Sequence, residues 1–313
     1  MLGHHKHVPV LLDAVLKYLD PQPGESYLDL TAGYGGHATA VLERTLNSPA
    51  VLVDRDNDAV KYLHQRFSNV GVDIKHQDFA AASQQLAGQG QAFDLILADL
   101  GLSSAQLAEE QRGFAFGASG PLDMRMDRRQ ALSAAEIVNR WPADRLEQLL
   151  TDFGQQPKAR AIARRIVAAR PVNTTAELAA LVSQVAPQRF GRGGPRRWRR
   201  DRPGGSQIHP ATRVFQALRI AVNDELGQLA RSLPLWLRLL KPGGRLAVIS
   251  FHSLEDRLVK NFLAEYSRAG YERQLRLLTK KPVTATTAEI ATNPRARSAK
   301  LRAVAKIKTI ERK

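Results

Sequence analysis

The sequence predicts an α/β fold in which a doubly wound parallel sheet is interrupted by an inserted helical domain. Over about the first hundred residues, short apolar runs alternate with helix-compatible stretches, which is typical of repeated βαβ units. From about residue 105 to 205 the sequence becomes polar and helix-prone. A chain of 313 residues can bury a core in each part. We therefore expect a sheet domain built from residues 1–104 and 206–313, and a smaller helical domain over 105–205.

The first part of the chain has regularly spaced elements. A leading helix within residues 8–20 ends before Pro21 and Pro23. Parallel strands meet at their carboxyl ends along one edge of the sheet, where open α/β folds bind their ligands. Four apolar runs predict such strands at 27–30, 50–53, 72–75 and 93–98, with helices between them at 36–47, 57–67 and 80–87.

The rest of the chain predicts helices followed by further strands. A long helical pattern over 211–240 reaches the turn signal 241–244, and a strand at 245–250 follows. We expect the next helix to span 253–266 with Ser253 as its N-terminal cap. Four amphipathic stretches precede these elements, at 132–141, 143–153, 159–170 and 175–186, and two late segments, 271–278 and 301–310, are expected to pair as a closing hairpin.

Composition restricts the chemistry that the chain can perform. The formal net charge of +16 favours a polyanionic partner. The chain has no cysteine, which excludes disulfides, thiolate metal sites and a thiol nucleophile. No apolar run is long enough for a membrane span, and the N-terminus lacks a signal-peptide core. We therefore expect a cytoplasmic protein, and we also expect that its reaction requires no metal.

A glycine-rich turn follows the first predicted strand and predicts a nucleotide site. Gly33, Gly35 and Gly36 allow a tight turn and close backbone approach to a ligand. Asp54, at the tip of the second strand, can accept both hydroxyls of a ribose. Phe79, after the third strand, can pack on an adenine, although it fits a core position equally well. Two ligands satisfy this pattern, a dinucleotide such as NAD and S-adenosylmethionine.

Longer motifs resemble one known family. In chain order they are HKHVPVLLDAVL, TAGYGGH, VDRD, ADLGLSSAQL, GPLDMRMD, HPATRVFQALRI, SFHSLEDR and NPRARSAKLR. Together they resemble the ribosomal RNA small-subunit methyltransferase H family from about residue 6 to the C-terminus. The resemblance implies a class I methyltransferase fold with an inserted helical domain that recognises rRNA. It also implies S-adenosylmethionine as cofactor and methylation of N4 of one cytidine in the decoding region of 16S rRNA, within the small ribosomal subunit.

The resemblance also assigns cofactor contacts. Asp54 takes the ribose position and Phe79 the adenine position. The remaining contacts that it implies are Gly35, Gly36 and His37 in the turn, and Asp99 and Gln106 after the fourth strand.

The target amine is a poor nucleophile because its lone pair is shared with the cytosine ring. A hydrogen-bond acceptor beside it would draw electron density to the lone pair and later receive a proton. Asp99 is our first candidate for this acceptor, and His252 is a candidate for contact with the base. Methylation at C5 of a pyrimidine normally needs a cysteine nucleophile, and the chain has none. Methylation of a nitrogen or of a ribose oxygen is compatible with the sequence.

Basic residues of the inserted domain and just after it predict RNA contacts. The segment 189–202 holds seven arginines together with Trp198, and we expect residues 189–205 to form a flexible basic loop. A second basic tract runs from Arg295 to Arg302. Asp123 and Arg125 either line the path of the target nucleotide or form a structural turn. The other predicted RNA contacts are Arg196, Arg197, Arg199, Arg200 and Arg213.

Two other functions compete with this interpretation. One is an NAD-type oxidoreductase, because Gly33-x-Gly35-x-x-Ala38 formally satisfies the dinucleotide fingerprint. The other is a non-catalytic RNA-binding factor of ribosome assembly that keeps an unused pocket.

Overall fold

The computed structural model divides the chain into two compact units. The first is Met1–Leu102 with Leu226–Lys313, and the second is Ser103–Glu225. The structure describes residues 9–103, 106–107, 109–117, 119–186, 209–268, 270 and 273–307. The second unit continues past the predicted boundary at 205 because the helix Pro210–Asn223 packs against other helices of that unit.

A seven-stranded sheet forms the centre of the first unit. The strands are β1 Tyr27–Asp29, β2 Ala50–Asp54, β3 Val72–His76, β4 Phe93–Asp99, β5 Leu240–Ser250, β6 Leu275–Leu277 and β7 Lys300–Lys306. Their order in the sheet is β3-β2-β1-β4-β5-β7-β6. The first five strands in this order are parallel, whereas β7 runs antiparallel to both β5 and β6. The predicted doubly wound α/β fold is therefore confirmed.

The helices of the described residues follow the predicted order with two exceptions: the predicted helix over 211–240 is divided in two, and the short helix Thr287–Thr292 was not predicted. Those between residues 134 and 223 lie in the second unit and the others in the first, except that the helix beginning at Glu225 has this one residue in the second unit. In chain order they are α1 Leu12–Leu19, α2 Gly36–Thr45, α3 Asn57–Arg66, α4 Phe79–Gly88, α5 Ala134–Arg140, α6 Ala143–Asp152, α7 Ala159–Ala168, α8 Thr175–Val185, α9 Pro210–Asn223, α10 Glu225–Leu239, α11 Ser253–Tyr266 and α12 Thr287–Thr292. None of them is long and apolar enough to cross a membrane.

Two apolar clusters cover the two faces of the sheet. Neighbouring residues of β4 alternate between them, Leu95 in one and Ile96 in the other, because strand side chains point to opposite faces in turn. Val41 of α2 packs in the first cluster, and Trp236 of α10 packs in the second. The buried sheet holds the ends of β1, β2 and β4 side by side.

The predicted long helix over 211–240 is wrong. Asp224 adopts a left-handed conformation with φ of 47° and separates α9 from α10. The predicted turn at 241–244 falls within the range of β5, but the pairing with β4 skips these four residues: Leu240 pairs with Phe93 and Arg245 with Leu95, and Gly243 has φ of 78°. β6 and β7 do pair antiparallel, but the long segment between them includes α12, so they do not form a tight hairpin.

Candidate functional site

The turn after β1 places a glycine-rich backbone beside the tips of β2 and β4. Gly33 and Gly35 have φ of 52° and 75°, in the left-handed region that favours glycine. The Gly35 N–H donates to the Ala32 carbonyl at 2.8 Å, which closes the turn. α2 starts directly afterwards at Gly36, so its first N–H groups have no partner within the helix. The turn therefore has the form that the sequence predicts.

Asp54 holds this turn directly. Its Oδ2 accepts the Gly33 N–H at 2.7 Å, and its Oδ1 accepts the Asp56 N–H at 2.8 Å. Burial raises the pKa of Asp54, while the two backbone hydrogen bonds partly oppose that rise. Each carboxylate oxygen keeps further acceptor capacity for a ribose hydroxyl. The residue that the sequence predicts to hold the ribose thus also orients the glycine turn.

The three glycines serve different purposes. A Cβ on Gly33 would have no neighbour closer than 4.0 Å, so this part of the backbone faces open space. A Cβ on Gly35 would lie 2.8 Å from the Phe67 ring, and one on Gly36 would lie 2.7 Å from the Pro9 ring. Gly33 therefore leaves room for a ligand, whereas Gly35 and Gly36 are required by packing within the protein.

His37 is buried behind the turn. Its Nε2 lies 2.9 Å from the Val10 carbonyl, and its Nδ1 lies 3.7 Å from Asp99 Oδ2. Burial lowers the pKa of His37, although the nearby Asp29 carboxylate raises it in part. A neutral imidazole that donates from Nε2 to the Val10 carbonyl fits these contacts. The side chain ties the segment before α1 to the site.

Asp99 ends β4 with an acceptor atom that nothing in the described residues satisfies. Its N–H donates to Thr31 Oγ1 at 2.6 Å, which fixes the backbone. Its Oδ1 is buried and has no hydrogen-bond partner among the described residues. Burial raises the pKa of Asp99 to about 7; Arg295 lowers it and Glu255 raises it further. A buried acceptor of this kind is suited to a hydrogen bond from a group that enters the site, a ligand donor or an ordered water.

Arg295 is a site residue that sequence reasoning missed. It was expected in a basic tract for RNA, but its guanidinium donates to the Leu102 carbonyl and acts on the Asp99 carboxylate. Two other members of that tract also have partners within the first unit. Arg302 Nε lies 2.7 Å and Lys300 Nζ 3.2 Å from the Asp256 carboxylate. The motif itself gives no signal of these pairings, which join parts of the chain far apart in sequence.

Phe79 is the first residue of α4, which follows β3 in the chain. Asp78 caps this helix by accepting the N–H groups of Ala80 and Ala81. The half-buried Phe79 ring meets the edge of the Trp236 ring, with centroids 5.8 Å apart. Phe79 therefore packs on the core, and its predicted contact with adenine stays a prediction.

His252, and not Ser253, is the N-terminal cap of α11. Its Nδ1 accepts the Glu255 N–H at 3.4 Å, and Glu255 Oε2 accepts the His252 N–H at 3.3 Å. The predicted Ser253 cap is wrong because His252 adopts the extended backbone of a cap and Ser253 is already helical. His252 Nε2 also lies 3.2 Å from Glu255 Oε1. The imidazole thus has a structural role, and its predicted contact with the base stays a prediction.

The described residues of the second unit give its predicted site residues local partners. Gln106 is buried, and its Oε1 accepts the Ser103 N–H at 3.1 Å. Arg213 is exposed and donates to the Gln155 carbonyl at 2.9 Å. The predicted contacts Arg196, Arg197, Trp198, Arg199 and Arg200 lie outside the described residues.

The GPLDMRMD motif forms a tight turn in the second unit. Arg125 Nε and Nη2 donate to the two carboxylate oxygens of Asp123 at 2.6 and 3.1 Å. Met124 between them is buried and has φ of 58°. The buried Asn223 side chain binds the Met126 N–H at 2.9 Å and the Met124 carbonyl at 2.8 Å. These contacts support the structural alternative that the sequence left open for Asp123 and Arg125.

Comparison with known proteins identifies the family. A ribosomal RNA small subunit methyltransferase H from Cyanothece sp. is 47% identical over 305 residues, covering 97% of this chain and 96% of the relative. Proteins of the same name from Nitratidesulfovibrio vulgaris and Thermomicrobium roseum are 46% and 47% identical; they align with 96% of this chain and with 86% and 94% of their own length. The model of the MraW methylase family matches residues 4–307. Because this match spans nearly the whole sequence, the resemblance inferred from the motifs is confirmed, and the chain belongs to the MraW methylase family.

Proposed function

We propose that this protein transfers a methyl group from S-adenosylmethionine to the N4 amine of one cytidine in the decoding region of 16S rRNA. Family membership supports methyl transfer, and the relatives' names specify small-subunit rRNA. The observation that carries the proposal is the unpaired buried Oδ1 of Asp99, on the strand next to the turn that Asp54 holds. Membership of a methylase family does not support the alternative that the protein is an NAD-type oxidoreductase.

The first unit offers groups suited to the donor. When bound, S-adenosylmethionine supplies an electrophilic methyl group on its sulfonium. The open backbone at Gly33 leaves space for the nucleoside. Asp54 accepts hydrogen bonds from the ribose hydroxyls, and Phe79 offers an aromatic surface to the adenine. The first-turn N–H groups of Gly36 and His37 complete the proposed set in this unit.

Asp99 is the proposed acceptor for the target amine. An ionised Oδ1 accepts a hydrogen bond from N4, which increases electron density on that nitrogen. As the new carbon–nitrogen bond forms, the bond between the methyl group and the sulfonium sulfur would break and leave a neutral thioether. The nitrogen must also lose one proton, and Oδ1 can receive it. A pKa of about 7 suits both roles near neutral pH, because the carboxylate can accept the proton and release it again. The same atom can also receive a hydrogen bond from the donor's ammonium group before the base arrives.

The basic residues of the chain are the proposed contacts for RNA. The net charge of +16 favours binding to phosphates, and seven of the arginines lie between 189 and 202. Replacing Arg196, Arg197, Arg199 and Arg200 by glutamine should weaken RNA binding and reduce its salt dependence. Trp198, Arg213, Asp123 and Arg125 are the other proposed contacts. Because the proposed substrate is rRNA, we propose that the reaction takes place in the cytoplasm.

The decisive experiment measures methylation of ribosomal subunits. Small subunits from a strain that lacks the gene are incubated with the protein and radiolabelled S-adenosylmethionine. We expect label in one 16S rRNA cytidine, identified as N4-methylcytidine by mass spectrometry. If the deletion strain has unchanged cytidine modification, the protein is a non-catalytic assembly factor. Calorimetric titration with S-adenosylhomocysteine and with NADH tests the remaining alternative, and binding of NADH alone would favour the oxidoreductase.

A further inference from the structure

An open basic groove lies on the surface of the second unit, beside α7. Its volume is about 830 Å³. Four cationic side chains line it together with the apolar Pro157, Ala161 and Val185, and none of the described residues that line it is acidic. The four are Lys158, Arg160, Arg164 and Arg165.

The cations of this groove keep their charge uncompensated. Lys158 donates to the Val185 carbonyl at 2.8 Å, and Arg165 donates to Gln184 Oε1 at 2.8 and 3.1 Å. These acceptors are neutral, so they fix the side chains without cancelling the charge. Arg160 and Arg164 are exposed and form no ion pair or hydrogen bond with any described residue.

Some other exposed arginines of the same unit are neutralised, whereas Arg145 and Arg213 have no carboxylate partner among the described residues. Arg140 pairs with Glu136 at 3.2 Å, and Arg129 pairs with Asp127 at 2.7 Å. What distinguishes the groove is that four cations without a carboxylate partner lie together on one surface. It indicates a polyanionic ligand, because arginine forks bind phosphate oxygens in a bidentate manner.

The geometry of α7 suits a phosphodiester chain. Arg160 and Arg164 are four residues apart and thus lie on the same face, ~6 Å apart along the helix axis. On the opposite face Ile162 and Ile166 are buried in the core of the unit, so the basic face is held in a fixed direction. Such a row presents charges at regular spacing to successive phosphates.

We propose that the groove of Lys158, Arg160, Arg164 and Arg165 docks the phosphodiester backbone of the RNA substrate. This inference rests on the proposed function, which supplies the polyanion. Val185 lines one part of the groove and precedes Arg189 by only four positions in the sequence, where the arginine-rich segment begins. The groove binds phosphates irrespective of base sequence, so it contributes affinity and leaves the choice of cytidine to other residues.

The test compares charge removal with charge retention in the full-length protein. Binding of a fluorescein-labelled RNA hairpin of the 16S decoding region is measured by fluorescence polarisation over a series of salt concentrations. For the double variant Arg160→Gln/Arg164→Gln we expect roughly tenfold weaker binding and a log–log salt slope reduced by about 1.5, as for the loss of two phosphate contacts. The double variant Arg160→Lys/Arg164→Lys should keep the native slope.

Two controls separate this inference from the proposed function. Arg140→Gln removes one exposed charge outside the groove and should leave RNA affinity unchanged. All variants should bind S-adenosylhomocysteine as the native protein does. If the glutamine variant keeps the native salt slope, as expected for a groove that binds an acidic protein, the groove is not a docking site for RNA. Native methylation of rRNA by that variant would leave the proposed function intact. Equal losses in the lysine and glutamine variants would also overturn it. Failure of the native protein itself to bind or methylate rRNA would instead overturn the proposed function.

Discussion

The Gly33 N–H donates to Asp54 Oδ2 over 2.7 Å, which joins the glycine turn to the tip of the neighbouring strand. The other carboxylate oxygen holds the Asp56 N–H, so the carboxylate is fixed at both atoms. The group that is proposed to bind the ribose therefore also determines the shape of the backbone that the nucleoside meets. Cofactor binding should be sensitive to both members of this pair.

Asp54→Ala should weaken binding of S-adenosylhomocysteine by ~1.5–3 kcal/mol, because a charged acceptor is lost and the Gly33 N–H is left without its partner. Isothermal titration calorimetry measures this directly. Asp73→Ala removes an exposed carboxylate from the adjacent strand β3 and should leave the affinity unchanged. Native affinity in Asp54→Ala would mean that the carboxylate only shapes the turn.

Substitutions of the glycines should have separable effects. Gly33→Ala places a methyl group in open space, at a backbone strain of about 1–2 kcal/mol, so the protein should fold but bind S-adenosylhomocysteine at least tenfold more weakly. Gly35→Ala adds an overlap with the Phe67 ring to the strain and should lower the melting temperature further. Thermal unfolding and titration of both variants check the assignment. If Gly33→Ala bound S-adenosylhomocysteine as tightly as the native protein does, the assignment of Gly33 to the ligand site would be contradicted.

The sequence predicts the sheet and the residues at its carboxyl edge because both depend on local patterns. Apolar runs place β1, β2 and β4, and a parallel sheet then brings Gly33, Asp54 and Asp99 together without any knowledge of distant contacts. The order of residues along the chain is therefore sufficient to place all three at this edge, whereas the strand order β2-β1-β4, which makes them neighbours, comes from the structure.

Contacts between distant segments could not be predicted in this way. Arg295 is 193 positions from Leu102, whose carbonyl it binds, and the local NPRARS sequence indicates only a basic surface. His252 was missed as a cap because serine is the commoner cap residue, and the choice between neighbours depends on backbone angles. The break at Asp224 was missed because apolar residues continue at helical spacing on both sides of it.

The raised pKa of Asp99 predicts a specific pH dependence. Burial disfavours the ionised carboxylate, so the pKa rises from its usual 3.8 to about 7 in the folded protein. The free energy of unfolding should therefore fall as the pH increases between these two values, since ionisation costs more in the folded state than in the unfolded state. Asp99→Asn should remove this contribution. Chemical denaturation of both proteins across this pH range measures the difference.

Asp29 provides the control for that measurement. It is buried and accepts the Tyr27 hydroxyl at 2.8 Å, and burial raises its pKa to about 6. Its ionisation should therefore lower the free energy of unfolding in the same way at lower pH. This decrease should persist in Asp99→Asn. Identical pH profiles for the native protein and Asp99→Asn would contradict the assignment.

The rate of methyl transfer should increase with pH, whereas the free energy of unfolding should decrease. If an ionised Asp99 accepts the hydrogen bond from N4, the single-turnover rate rises with pH and reaches a plateau above about 7. Asp99→Asn should be much slower and should lose this rise. Its binding of S-adenosylhomocysteine is measured in parallel, because a loss confined to binding would assign Asp99 to the cofactor and not to the target amine.

Asn223 should be essential for the stability of the GPLDMRMD turn. It is buried, and it satisfies the Met126 N–H and the carbonyls of Met124 and Arg219. Asn223→Ala leaves buried backbone groups unpaired and should lower the free energy of unfolding by ~2–4 kcal/mol. Thr212→Ala, at an exposed position of the same helix, should change it by less than ~0.5 kcal/mol. Equal denaturation midpoints for the two variants would show that the turn holds without Asn223, and the motif's role in binding the target nucleotide would then become the better explanation of its sequence.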